Sequence, residues 1–278
     1  MKKLLSVCLA LVAFSFCFSQ APSFSVAKSG KGKPVLFFPG FTTPGSVWAE
    51  TVKNLKVKSE NHLFTYAGFS GLAAIDTPWY NTIKEDLIHY IQNEKLSNIT
   101  LIGHSMGGMI AIDLAAALPD KIDKLVLVDA LPSMRDLMLP GVTADKIQYN
   151  TPYNNQVLQM KDTAFRQMAR MMAEGMTNNK SKTDTLMQWI LVADRKTYVY
   201  GYTDLLKLDL REDLSKIRAK SLILGATFPT KDIAKATFEK QYANLKGATI
   251  EMAPESRHFI MYDQPEWFYK QVNAFLEK

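Results

Sequence analysis

The run Ile99-Thr100-Leu101-Ile102-Gly103-His104-Ser105-Met106-Gly107-Gly108 decides how this chain is read. Residues 99–102 have the side chains of a buried strand and lead straight into a Gly-x-Ser-x-Gly turn. A stretch rich in small residues (Gly107, Gly108, Ala111, Ala115, Ala116, Ala117) leads straight out as a helix able to lie close against a sheet. So sharp a turn strains the backbone of its serine, and the flanking glycines keep side chains from colliding with the neighbouring strand and helix. The Ser105 hydroxyl is therefore expected to stand above the sheet edge. Five matching positions alone would fit any tight turn; the strand before and the helix after make this one specific.

Outward from the turn, short apolar runs alternate with helical patterns. Upstream, Pro34 to Phe38 reads as a strand ending at Pro39-Gly40-Phe41, a helix is expected around Val47 to Leu55, and Leu63 to Tyr66 is a strand stopped by Gly68 and Gly71. Thr77-Pro78 opens a helix to about Glu94, with Ile83, Leu87, Tyr90 and Ile91 on one face. Downstream, Pro119 ends the helix after Ser105, and Leu125 to Val128 is a buried strand that ends in Asp129. Strand character returns at Ser221 to Leu224, followed by a helix over Lys231 to Asn244, a short strand Thr249 to Met252 and a last helix from Pro265 to Leu276. Between about Leu131 and Leu210 the strand rhythm is lost and the text turns helical and methionine-rich. The alternation predicts an α/β fold: a mostly parallel central sheet flanked by helices, with the core in residues 20–130 and 211–278 and a helical cap inserted over 131–210.

With 278 residues, 47% of them hydrophobic, the chain can bury one large core. Lys2 and Lys3 followed by the apolar stretch Leu4 to Phe18 and by Cys17-Phe18-Ser19 read as a signal peptide over 1–19, cut before Gln20, which implies a secreted or periplasmic protein with no stable membrane span. A lipid anchor at Cys17 is disfavoured by Phe16, where a small residue is usual. Both cysteines, Cys8 and Cys17, fall in that segment, so the mature chain would have no disulfide. The net charge of +6 drops to +4 without Lys2 and Lys3, and it is spread without basic blocks, which gives no case for nucleic acid as a partner. No metal-ligand cluster, phosphate-binding glycine loop or nucleotide fingerprint is present, so no cofactor is expected.

The elbow Gly103-His104-Ser105-Met106-Gly107-Gly108, preceded by Phe38-Pro39-Gly40-Phe41, resembles the α/β-hydrolase superfamily of esterases, lipases and related enzymes over nearly all of the mature chain. The resemblance implies the fold and makes Ser105 the nucleophile; it does not imply a substrate. A serine hydroxyl needs a neutral imidazole to take its proton and a carboxylate to orient that imidazole. Of the four histidines, His104 is held in the elbow, His62 lies near a strand start and His89 inside a helix. His258 remains, in the loop after the last strand, where the family's order of serine, acid, histidine expects it.

The acid has two candidates. The family most often carries it about three residues beyond a glycine such as Gly225, where this chain has Phe228; Asp232 follows further on, at the apparent start of a helix. Asp129, at the end of the strand after the elbow helix, occupies a position that some members use. It is preferred, because a carboxylate there is costly unless paired. The resemblance also implies an oxyanion hole formed by the backbone N–H groups of Phe41 and Met106. Methionines of the cap with Trp189, Tyr198, Tyr200 and Tyr202 are expected to wall a pocket for a small, apolar substrate. A carboxylic ester is the default substrate; a carbon–carbon bond hydrolase, a lactonase, or a ligand-binding protein on the same fold are the alternatives. Dehalogenase and epoxide hydrolase chemistry are disfavoured, since those enzymes attack with an aspartate where this chain has Ser105.

Overall fold

Apolar side chains point to both sides of every central strand, which is what a sheet covered on two faces requires. Leu36, Phe38, Leu101, Leu125 and Leu127 enter one buried cluster, while Val35, Phe37, Ile102, Val126 and Val128 enter another on the opposite face. The computed structural model describes residues 21–278; the segment 1–19 read as a secretion signal, with Cys8 and Cys17, lies outside the described residues. Along the chain the elements are β1 (Phe24–Gly30), β2 (Lys33–Phe38), α1 (Ala49–Asn54), β3 (Ser59–Tyr66), α2 (Trp79–Asn93), β4 (Ile99–His104), α3 (Met106–Ala117) and β5 (Ile122–Val128). Five helices follow: α4 (Met134–Met138), α5 (Pro152–Leu158), α6 (Asp162–Met176), α7 (Lys180–Leu191) and α8 (Arg195–Lys207). The chain then returns to the sheet with β6 (Lys220–Gly225), α9 (Lys231–Gln241), β7 (Thr249–Met252), α10 (Ile260–Asp263) and α11 (Pro265–Leu276).

The seven strands lie in the order β1-β3-β2-β4-β5-β6-β7, with β1 antiparallel to β3 and every other neighbouring pair parallel. The expected α/β class with a mostly parallel, helix-flanked sheet is borne out. β4, which delivers Ser105, is central and buried throughout. α2 presents Ile83, Leu87 and Ile91 to the core at the expected helical spacing.

Three elements differ from the sequence reading. β1 precedes the first expected strand; only Phe24 and Val26 of its seven residues pack on the core, so it carries little hydrophobic signal. β3 starts at Ser59 rather than Leu63, which places His62 in mid-strand. There His62 is fully buried, its Nε2–H donating to Glu60 (2.8 Å) and its Nδ1 accepting from the Tyr90 hydroxyl (2.7 Å). The helix expected over Val47 to Leu55 is a 3-10 turn, Gly45–Trp48, running into α1.

The helices between β5 and β6 are joined to the sheet's core. Phe165, Ala169, Leu186, Met187, Ile190 and Val199 share one buried cluster with Phe37, Val126 and Leu222. Asp204 of α8 is buried and accepts from the Tyr80 backbone N–H at the start of α2 (3.2 Å) and from the Tyr149 hydroxyl. This supplies from a distance the cap that Pro78 cannot provide.

At the elbow, backbones touch. A Cβ on Gly107 would sit 2.1 Å from the Phe38 carbonyl oxygen, and one on Gly103 would sit 2.3 Å from the Gly107 oxygen. Backbone cannot yield as a flexible side chain does, so Gly107→Ala should destabilise the protein by about 1–3 kcal/mol or more, lowering Tm by roughly 2–10 °C in thermal unfolding followed by circular dichroism. An unchanged Tm would show that the three segments are not in contact.

Candidate active site

Four strand ends converge on one place, the carboxyl edge of the sheet where open α/β sheets hold their ligands. Ser105 follows β4 with φ 54° and ψ −123°, and its N–H continues the ladder by donating to Val128 O (3.0 Å). Asp129 follows β5 with φ 43°, and its N–H donates to Leu224 O (2.8 Å). Non-glycine residues in this region cost of order 1–3 kcal/mol and persist only where surroundings hold them. Here the ladder bonds on either side do so.

β2 leads into Pro39-Gly40-Phe41, which lies alongside the elbow: a Cβ on Gly40 would meet His104 Nδ1 at 2.8 Å and Ser105 Cβ at 3.3 Å. The backbone N–H and the hydroxyl of Thr43 both donate to Gly40 O (3.2 and 2.8 Å) and close the turn. Among the described residues, the N–H groups of Phe41 and Met106 enter none of the backbone hydrogen bonds of the turns and loops. The Phe41 ring is packed by Phe69, Trp79, Tyr198 and Tyr202, with centroids 5.0 to 6.0 Å away.

β7 leads to the loop carrying His258. Its Nδ1–H donates to Asp129 Oδ2 at 2.6 Å, while Asp129 Oδ1 accepts from the Ala226 N–H at 2.9 Å. The carboxylate thus has two donors, one of them from the strand end next door. Asp232 lies exposed in the first turn of α9, whose N-cap is the Thr230 hydroxyl, and no hydrogen bond joins it to His258. Phe228 stands exposed on the rim. His89 is exposed on α2.

His104 is fully buried, and its Nε2–H donates to the His258 backbone carbonyl (2.9 Å). Nδ1 is then a bare acceptor, with no partner among the described residues. The His258 loop is also tied from its far side by Asp263. Its Oδ2 accepts from the Arg257 N–H (2.8 Å), and its Oδ1 accepts from the Thr177 hydroxyl and from the N–H groups of Asn178 (2.9 Å) and Asn179 (3.2 Å).

Ser105, Asp129 and His258 line a single cavity of about 360 Å³. Its walls are Met109, Leu131, Met134, Phe238 and Ala234, with Leu137, Met138, Phe228 and Ile233 more than half exposed around it. Trp189, Tyr198, Tyr200 and Tyr202 do not line this cavity, contrary to expectation; Tyr198 and Tyr202 instead hold Phe41. Most methionines of the insertion pack against the core, with Met187 buried, and only Met134 and Met138 reach the cavity. Residues missed by sequence reasoning include Met109, Ala226, Ile233, Phe238 and Arg257. Arg257 had one signal, a cation directly before the candidate base. Among the described residues no cluster of His, Cys, Asp and Glu is placed to hold a metal ion.

Residues 35–271 match the model of the alpha/beta hydrolase family, and the chain belongs to that family of hydrolytic enzymes. Among curated relatives, it is 23% identical to an sn-1-specific diacylglycerol lipase of Danio rerio, over 89% of this chain and 80% of the relative. It is 24% identical to a pimeloyl-[acyl-carrier protein] methyl ester esterase of Legionella pneumophila, over 90% of this chain and 98% of the relative. Among solved structures, an esterase from Exiguobacterium antarcticum superposes with a TM-score of 0.75 at 23% identity, covering 93% of this chain and 98% of that one. An enol-lactonase from Burkholderia xenovorans shares the fold with a TM-score of 0.74 at 16% identity, covering 92% and 96%.

Burial, reinforced by the nearby His258, holds the His104 imidazole well below its ordinary value, against the smaller pull of its bond to the His258 carbonyl. In the unfolded chain this histidine titrates near pH 6.5. The unfolded state therefore binds a proton that the folded state refuses, so the stability is complete above that pH and is lost as pH falls below it, by up to about 1.4 kcal/mol per unit. Chemical denaturation at pH 7, 6 and 5 should show this decline, and His104→Asn should make it shallower. Equal slopes for parent and variant would assign the acid sensitivity elsewhere.

Proposed function

We propose that this hydrolase cleaves a carboxylic ester of a small, largely apolar substrate through an acyl-enzyme on Ser105. The observation that carries the reading is the 2.6 Å bond between His258 Nδ1–H and Asp129, with Ser105 on the wall of the same apolar cavity. The carboxylate holds the imidazole in the tautomer whose Nε2 is free to accept a proton. Ser105 Oγ attacks the carbonyl carbon as its proton passes to His258 Nε2. Oxyanion charge is met by the N–H groups of Met106, at the start of α3, and of Phe41. His258 then protonates the leaving alcohol, and the C–O bond breaks to leave the acyl-enzyme. Water, deprotonated by His258, releases the acid and returns Ser105.

The relatives named as an esterase and a lipase support an ester over other bonds. The apolar cavity supports an uncharged reacting end. On this reading residues 131–210 act as a cap over the site, and a signal peptide over residues 1–19 would make the enzyme secreted or periplasmic.

A fluorophosphonate probe should label the parent protein and fail to label Ser105→Ala. With p-nitrophenyl esters, Asp129→Asn should lower kcat by about 10⁴-fold by stabilising the wrong tautomer, and Asp232→Asn should stay within about twofold. A folded parent that takes no label would sink the catalytic reading; loss of activity only in Asp232→Asn would overturn the choice of acid.

A further inference from the structure

Resting on the ester-hydrolase reading, we propose that the Arg257 guanidinium forms a subsite for an anionic group of the substrate, so that the preferred ester carries a carboxylate at the far end of its acyl chain. Among the described residues, Arg257 is the only ionisable one on the cavity wall besides Asp129 and His258, and the wall is otherwise mainly apolar. Its guanidinium is held in place by neutral groups. Nε–H donates to Asn178 Oδ1 (2.9 Å), one Nη1–H donates to Gly175 O (3.1 Å), and the Phe228 ring lies 5.0 Å away. The backbone N–H of the same residue is anchored on Asp263 Oδ2.

Five N–H bonds belong to an arginine side chain, and these contacts use two. Three remain, one on Nη1 and two on Nη2, and one from each nitrogen can pair with a carboxylate through two parallel hydrogen bonds.

The carboxylates lining the two clefts that Arg257 borders, and that of Asp263 beside it, are engaged elsewhere. Asp129 takes His258 and Ala226; Glu174 and Asp184 both face Arg170 (3.8 and 3.1 Å); Asp263 spends its oxygens on backbone N–H groups and the Thr177 hydroxyl. No ion pair to the Arg257 guanidinium is present among the described residues. Arg257 also borders a second, polar cleft that includes Arg170 and Lys180, so it stands where the apolar cavity meets water. A carboxylate bound there keeps part of its hydration while the chain behind it lies on Met109, Leu131 and Phe238. A guanidinium placed only to clamp the insertion to the histidine loop would serve neutral and charged esters alike.

The test compares p-nitrophenyl hydrogen adipate and suberate with the hexanoate and octanoate of the same chain lengths, on the parent, Arg257→Gln and Arg257→Lys. The parent should favour the carboxylate esters. Arg257→Gln should lower kcat/KM for them at least about tenfold more than for the neutral ones, mainly through KM. Arg257→Lys should keep part of the preference, and added salt should erode it in the parent. Equal losses on both series overturn the subsite and make Arg257 a positioning residue for His258; an unchanged ratio also overturns it while leaving the ester reading intact. If Arg257→Gln does not fold, inhibition of the parent decides: adipate should compete with the neutral ester, and 1,6-hexanediol, of the same chain length but uncharged and not hydrolysable, should compete less; equal inhibition by the two overturns the subsite. A parent that hydrolyses neither series and takes no fluorophosphonate label overturns the ester reading, and the subsite with it.

Discussion

The site depends on a place where stretches of backbone pass too close for a side chain to fit between them. At Gly103, Gly107 and Gly40 an added Cβ would press on the oxygens of Gly107 and Phe38 or on the His104 ring, and at Gly108 it would meet Ala130 Cβ at 2.3 Å. This proximity brings the end of β2, the start of α3 and the chain beyond β5 around Ser105. With larger residues there, the Phe41 backbone and the elbow would be forced apart.

Holding that arrangement has a conformational cost, and the sheet carries it. Ser105 and Asp129 both adopt positive φ, at about 1–3 kcal/mol each. Each buried side chain such as Phe37, Phe38, Leu101, Ile102 or Leu125 stabilises the fold by roughly 1.5–3 kcal/mol, so a few of them outweigh both strained residues. Their placement on both faces of parallel strands fixes register as well as stability. A slip of one residue would turn Leu101 and Ile102 to each other's faces and take Ser105 out of line with Val128.

What was legible in the sequence follows from this. The elbow could be read because glycine, serine and small-residue requirements are local and strict, and the central strands because burial on two faces leaves near-continuous apolar runs. His258 was reachable by exclusion, and the preference for Asp129 came from the cost of an unpaired carboxylate at a strand end. β1 and the first half of β3 were not legible: an edge strand needs few apolar residues, and His62 satisfies its burial with Tyr90 and Glu60 in place of hydrophobicity. The cavity wall was misread because methionines and aromatic residues on amphipathic helices look the same whether they face a cavity or the core. Tertiary packing alone separates Met134 from Met187.

Asp263 gives the seam between the insertion and the histidine loop an all-or-none character. A single carboxylate receives Thr177, Asn178 and Asn179 on one oxygen and Arg257 on the other, while the Phe259 N–H donates across the same seam to Met176 O (3.1 Å) and Asn178 Nδ2 to Glu255 O (2.8 Å). Drawing residues 177–179 away would strand an anion and several donors together, so no one bond can open by itself at small cost. The two segments therefore form one cooperative unit, and the loop that carries His258 is only as ordered as the helix end it leans on.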